Sequence, residues 1–373
     1  ESGVARPMSF DSMSFTSILF EDPAQAASVE GSTEPNIFDD LFLDQVVASV
    51  IAGHEEYNLE QFFYTPLPTE RAIAYREEVF RDLNDAELFR YLDDFGHKMH
   101  DMRRLLDVGT KLHYQRQKER LFLEAARTYC RAIEQLSHNL EPADLTARGL
   151  LTFRDYLTTY ASSATFTSLA AEADGLEAAL DEVKYTLHIV SNRIDVSRYD
   201  GESDYSADVT TTFEKFRRGQ PKDYRIKFND WLEMNHVEAG VLDRVALLYP
   251  EVFTALTAFC ERQRGYLDQR IGGFDREIHF YTAYLRFVGG VKTVGLQFCI
   301  PHVSAESKEV QAHDTFDLAL ANKLMATKAP TVCNDFYLKD SERIIVVSGP
   351  NQGGKTTFSR MFGQLHYLAR LGC

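Results

Sequence analysis

Gly349-Pro350-Asn351-Gln352-Gly353-Gly354-Lys355-Thr356 decides how this chain is read, because it fits the phosphate-loop pattern G-x-x-x-x-G-K-[ST] in full. Ahead of it, Arg343-Ile344-Ile345-Val346-Val347-Ser348 is a β-branched run that predicts a buried strand. Behind it, Phe358, Met361, Phe362, Leu365, Leu368 and Leu371 recur at helical spacing between Thr356 and Leu371. Strand, glycine loop and helix follow in the order that phosphate binding requires. Glycines let successive N–H groups turn inward around phosphate oxygens, and the helix N-terminus adds partial positive charge. Lys355 is expected to reach the β- and γ-phosphates of ATP, and the Thr356 hydroxyl to ligate Mg²⁺. A glycine-rich turn holding a chance lysine would not bring the flanking strand and helix with it.

The 373 residues allow two or three domains with sizeable cores. Hydrophobic residues at 44% and charged residues at 26% place the chain in the ordinary globular class. No apolar run approaches the length of a membrane span, and no secretory pattern opens the chain. Glu1-Ser2-Gly3-Val4-Ala5 lacks an initiating Met and reads as a trimmed start. Cys130, Cys260, Cys299, Cys333 and Cys373 are scattered without C-x-x-C spacing, which predicts reduced thiols in a cytoplasmic protein. His97 and His100 stand at i, i+3 but lack a nearby third ligand, so they read as a solvated helix face. The net charge of −16 excludes a global field that draws the chain to nucleic acid, so any DNA contact needs a local basic patch.

Along the chain the predicted fold class is mainly α with a small β insertion, leading into the start of an α/β P-loop domain. Residues 1–36 form a mixed N-terminal segment in which Phe15 to Phe20 could supply a strand or a packing segment. Residues 37–182 read as the first helical part. Ile37, Leu41, Val46, Val47 and Ile51 share a face, Thr69 is a plausible N-cap, and helices are expected over Ile73–Leu83, Glu87–Leu106 and Val108–His138. Two more lie within 142–183, broken near Ser162-Ser163. Residues 183–228 form a β-rich insertion, since Val183 to Val190 alternates and Ser191-Asn192-Arg193 turns into Ile194 to Tyr199. Residues 229–290 return to helix, interrupted at Pro250. Residues 291–373 open the nucleotide domain, with a strand expected at Val294–Ile300 and a short helix at Phe316–Met325.

The loop Gly349-Pro350-Asn351-Gln352-Gly353-Gly354-Lys355-Thr356-Thr357 resembles that of the MutS DNA mismatch-repair superfamily, whose usual form is GPNMGGKST. Asn334-Asp335-Phe336-Tyr337-Leu338 resembles the family's PND-hydrophobic segment, and Leu368 to Cys373 its helix end. Thr65-Pro66-Leu67 through Ile73, Arg76, Val79 and Leu83 is similar to the start of its helical core. The resemblance implies a helical core and lever feeding an ABC-type ATPase domain in a homodimer. ATP binding and hydrolysis would then control a clamp on double-stranded or branched DNA in repair or recombination. Two departures mark a divergent branch. Thr331 stands where the family often has an adenine-stacking aromatic, leaving Val332 as an apolar wall, and Phe316-Asp317-Leu318-Ala319-Leu320-Ala321 replaces an Arg-His-Pro motif. Because the core-like pattern begins by about residue 37, the family's Phe-x-Glu mismatch-reading domain is not expected in this chain, and Phe122-Leu123-Glu124 reads as mid-helix packing.

The chain stops at Cys373, seventeen positions after Thr356. Hydrolysis also needs an acidic residue for Mg²⁺ and a group that positions water. In the family both lie downstream, so the full-length protein is expected to be an ATP hydrolase while these residues alone are not. Asp335 and Asp340 read as turn residues rather than substitutes. The run Arg343–Ser348 also lacks, within these residues, the parallel neighbours that bury such a strand. The DNA-contact candidates are Lys215, Arg217, Arg218, Lys222, Arg225 and Lys227, interleaved with Phe213, Phe216, Tyr224 and Phe228. Arg116, Lys118 and Arg120 with Lys111 read instead as a helix face paired with Glu119 and Glu124. Two rivals fit the same loop: a P-loop ATPase with helical arms that remodels protein complexes without DNA, and a dimerisation scaffold locked by nucleotide.

Overall fold

The computed structural model describes residues 15–191, 193–202 and 234–373. In chain order its elements are α1 (Pro23–Val29), α2 (Ile37–Leu41), α3 (Leu43–Ile51), a 3₁₀ turn at Glu55–Tyr57, α4 (Glu60–Tyr64) and α5 (Glu70–Asp82). Then follow α6 (Ala86–Lys111), α7 (Gln115–Leu140), α8 (Arg148–Ala161), α9 (Ala164–Asp181), β1 (Tyr185–Val190) and β2 (Arg193–Arg198). The last are α10 (His236–Leu248), α11 (Pro250–Arg262), α12 (Gln269–Lys292), β3 (Val310–Thr315), α13 (Leu318–Met325), β4 (Asn334–Leu338) and α14 (Lys355–Leu371). The described chain is mainly helical with two small antiparallel sheets, β1–β2 and β3–β4.

Local chemistry explains most boundaries. Thr69 caps α5 by accepting from the amide of Ala72, and Ser163 caps α9 by accepting from that of Phe166. Asn235 and Glu238 form a capping box at the start of α10, and Pro250 stands at the first position of α11, where its missing N–H costs nothing. Expected breaks differ at two places. Phe42 adopts φ 55° and splits the segment from Ile37 to Ile51 into two helices, and Leu112–Tyr114 separates α6 from α7.

Two compact units make up the chain: Glu1–His97, Ala132–Ser162 and Leu267–Cys373 in the first, Lys98–Arg131 and Ser163–Tyr266 in the second. The first is organised around α12, whose Ile271, Phe274, Ile278, Phe280 and Tyr281 are all buried. Phe274 stacks on Phe153 of α8 with ring centroids 3.4 Å apart, and Phe15 packs edge-on against Phe153 at 5.0 Å. Phe15 to Phe20 is therefore a packing segment and not a strand. Its polar backbone is satisfied inside the core: Glu277 Oε2 accepts from the amide of Ile18 at 2.7 Å, and Tyr75 and Tyr281 donate to the carbonyls of Ser17 and Ile18.

In the second unit Tyr129, Phe166, Leu169, Ala173 and Phe259 are buried together with Val245, Phe253 and Leu256. Phe122 packs edge-on against Phe259 and Tyr266, the mid-helix packing read from Phe122-Leu123-Glu124. Glu119 is buried and accepts from Gln115, Arg116 and Thr257. Of the other cations on that face, Arg120 pairs with Glu177 and Lys111 with Asp107, whereas Arg116 takes Glu119, the partner expected from the sequence. The hairpin pairs Tyr185 with Arg198 through Val190 with Arg193, and Val196 packs on the cluster of Val245, Ala246 and Phe253.

Two expected strands are absent. Val294–Ile300 is coil beginning near Gly295 at φ 88°, and Arg343–Ser348 is coil with Ile344 81% and Val346 85% exposed. A strand exists only where a neighbour takes its N–H and C=O groups, and among the described residues none pairs with either run. Among the described residues no helix is long and apolar enough to cross a membrane.

Candidate nucleotide site

The glycine loop runs directly into α14, the 17-residue helix that opens at Lys355. Gly349 at φ 156°, Gln352 at φ 65° and Gly354 at φ 82° turn the chain through backbone conformations open mainly to glycine. A methyl group on Gly353 would sit 3.0 Å from the carbonyl oxygen of Pro350, so the loop closes on itself at that point. Gly354 is the N-cap and brings no side chain to the helix start, so no side-chain oxygen covers the N–H groups there. Lys355 Nζ turns back over the loop and donates to the carbonyls of Gly349, at 2.9 Å, and Pro350, at 2.7 Å. Thr356 is exposed beside it. Left-handed turns, an uncapped helix start, a cation over the loop and an adjacent hydroxyl are a donor set that fits a phosphate chain with its Mg²⁺.

The loop is carried by a helix that is tied down along its length. Phe336 of β4 packs against Phe358 and Phe362 with centroids 6.0 and 5.0 Å apart. Arg360 pairs with Asp317, its Nε donating to Oδ2 at 2.6 Å. Buried Gln364 accepts from the amide of Leu318 and donates to Asp317 Oδ1 and to the carbonyl of Leu41. Tyr367 donates to the carbonyls of Phe63 and Tyr64, and the amide of Leu67 donates to the carbonyl of Arg370 at 2.8 Å. Arg76, fully buried, donates to the carbonyl of Leu371 at 2.8 Å. The apolar residues expected to seat this helix are only partly responsible. Met361 and Leu371 are buried, Leu365 and Leu368 are half-buried, and Gln364 occupies the centre of the packed face.

The remaining site residues fall in different places. Val332 is 77% exposed on the coil entering β4. Asp335 lies in β4, where its carboxylate accepts from the amide of Asp314 and meets His313; these hold it below the usual carboxylate range. Asp340 is a turn residue at φ 49°. Among the described residues no group of three or more His, Cys, Asp or Glu is arranged to hold a metal ion. Lys215, Arg217, Arg218, Lys222, Arg225 and Lys227 lie outside the described residues. Asp317, Arg360, Gln364, Tyr367 and Arg76 were not legible as site residues. Buried polar contacts between distant segments leave no local pattern in the sequence from which to read them. No protein-family model matches the chain.

Proposed function

We propose that this chain binds ATP at Gly349–Thr357 as the opening part of a MutS-like, P-loop ATPase that works as a DNA-associated dimer. The observation that carries the reading is the position of Lys355 Nζ on the carbonyls of Gly349 and Pro350, at the uncapped start of α14. Lys355 there exchanges two neutral carbonyl partners for phosphate oxygens, to which a cation binds more strongly. The amides of Gly354 and the first helical turn surround the same oxygens, and Thr356 holds Mg²⁺ beside them. Bound Mg²⁺·ATP supplies the γ-phosphate contacts that hydrolysis later removes. Helix α14, fixed within the first unit by Arg360, Gln364 and Tyr367, ties occupancy of the loop to the segments that carry these partners.

The net charge of −16 favours the rival in which such an ATPase remodels protein complexes without DNA. Fluorescence anisotropy separates the two. Full-length protein, wild type and Lys355→Ala, is titrated into homoduplex, mismatched duplex and four-way junction, with and without ATP. Affinity that depends on ATP and disappears in the variant supports the DNA clamp. ATP binding with no affinity for any DNA at low salt sinks the clamp and leaves the rival. No ATP binding by the wild type rejects the phosphate-loop reading altogether.

A further inference from the structure

Arg360, Gln364, Tyr367 and Leu371 recur along α14 at intervals of four, three and four, which places them on one side of the helix. Each is hydrogen-bonded to another element: to Asp317, to Asp317 with Leu318 and Leu41, to Phe63 and Tyr64, and to Arg76. Gln364 is the centre of this row. All its amide atoms are used, its exposure is 2%, and the Asp317 carboxylate it meets has no exposure at all. Asp317 in turn caps α13 by accepting from the amide of Leu320 and receives both Arg360 and Gln364. One carboxylate thus sets the start of α13 and the rotation of α14 together.

Lys355 stands nine residues before Gln364, about two and a half turns, so the two side chains leave opposite sides of the helix. Apolar packing alone lets a helix roll by rearranging side chains, whereas directional hydrogen bonds hold one rotation and one register. We propose that Gln364 and Asp317 are positioning residues for the nucleotide. They fix the roll of α14, and with it the direction from which Lys355 and Thr356 meet the phosphates. This inference rests on the phosphate-loop reading and adds to it the residues that set the loop's geometry. Neither residue touches the loop, and Asp317 lies in the very stretch that replaces the Arg-His-Pro motif.

The test measures Mg²⁺·ATP affinity by calorimetry and melting temperature for wild type, Gln364→Met, Asp317→Asn and Phe153→Leu, below the melting range of each. Phe153 belongs to the same core but stacks on Phe274 and Phe15, away from α14, so it reports the effect of lost stability alone. Gln364→Met keeps the volume and removes the bonds, and is expected to weaken ATP binding about tenfold. Asp317→Asn keeps an acceptor for Leu320 and Gln364 and is expected to fall between Gln364→Met and wild type. Phe153→Leu is expected to lower the melting temperature without moving affinity. Unchanged affinity in Gln364→Met overturns the inference, as does an equal loss in Phe153→Leu. Both results leave ATP binding by the wild type standing. Wild type that binds no ATP instead overturns the phosphate-loop reading, and this inference with it.

Discussion

Arg76, with no solvent exposure, donates to the carbonyl of Leu371 at 2.8 Å, so a buried cation sits at the C-terminal end of the glycine-loop helix. Its guanidinium lies between the rings of Phe20 and Phe280, 5.1 Å from each centroid. The helix end carries partial negative charge, which favours a cation there. Burial pulls the Arg76 pKa down from its ordinary value, but a guanidinium remains charged at neutral pH.

Truncation at this position removes both the stacking and the helix-end contact. Arg76→Ala is expected to cost about 3 kcal/mol of unfolding free energy. Arg76→Met should cost only about 1 kcal/mol, because it fills the space and removes a buried charge. Urea denaturation of the three proteins checks the order; an alanine variant no worse than the methionine variant would contradict it.

Glu277 supplies a stability term that depends on pH. Burial raises its carboxyl from 4.5 to about 7, against the opposing pull of Ser17, the nearby backbone amides and Arg76. A raised folded pKa means the stability is present below 4.5 and is lost as pH rises through about 7. Over that window wild type should lose roughly 3 kcal/mol relative to Glu277→Gln. Denaturation curves at pH 4.5, 6 and 8 read the difference, and a constant gap between the two proteins would disprove the assignment.

His54 works in the opposite sense. Burial, then the neighbouring His279 and Arg286, lower its pKa from 6.5 to about 4. The His279 ring lies 5.0 Å from that of His54 and 3.9 Å from that of Tyr57. A depressed histidine is neutral in the fold, so its stability is full above 6.5 and is lost as pH falls towards 4. His54→Gln should flatten the acid side of the stability profile between those values. An unchanged profile would show that the ring titrates normally.

Gly149 of α8 lets the segment Phe15–Phe20 through. A methyl group there would lie 2.9 Å from the Tyr75 hydroxyl and 3.2 Å from the Ile18 Cα. The hydroxyl also holds the Ser17 carbonyl, so it cannot move without losing that bond. Gly149→Ala is expected to destabilise by about 1–3 kcal/mol despite alanine's better helix propensity. Thermal melts of this variant and Gly175→Ala, where nothing lies within 4 Å of the added methyl, make the comparison. Equal melting temperatures would rule the close approach out.

The glycine loop, the cap at Thr69, the break at Ser162-Ser163, the hairpin and the short helix after Phe316 were all readable from the sequence, because each rests on neighbours in the chain. The two missing strands show the limit of that reading. Ile344 to Val347 has the composition of a strand, yet strands are made by partners, and local composition does not say whether one is present.

What the sequence determined by itself is the phosphate-loop pattern and the helical periodicity around it, since spacing and side-chain type act over a few residues. Only the tertiary structure decided what holds that loop in place. Beyond the loop itself, the hydrogen-bond partners that hold α14 lie 43 to 323 positions away along the chain, from Asp317 back to Leu41. The same holds for Glu277, whose partner Ser17 is 260 positions distant. A buried polar side chain takes whatever donor or acceptor the fold delivers to it, and no local pattern encodes which one arrives.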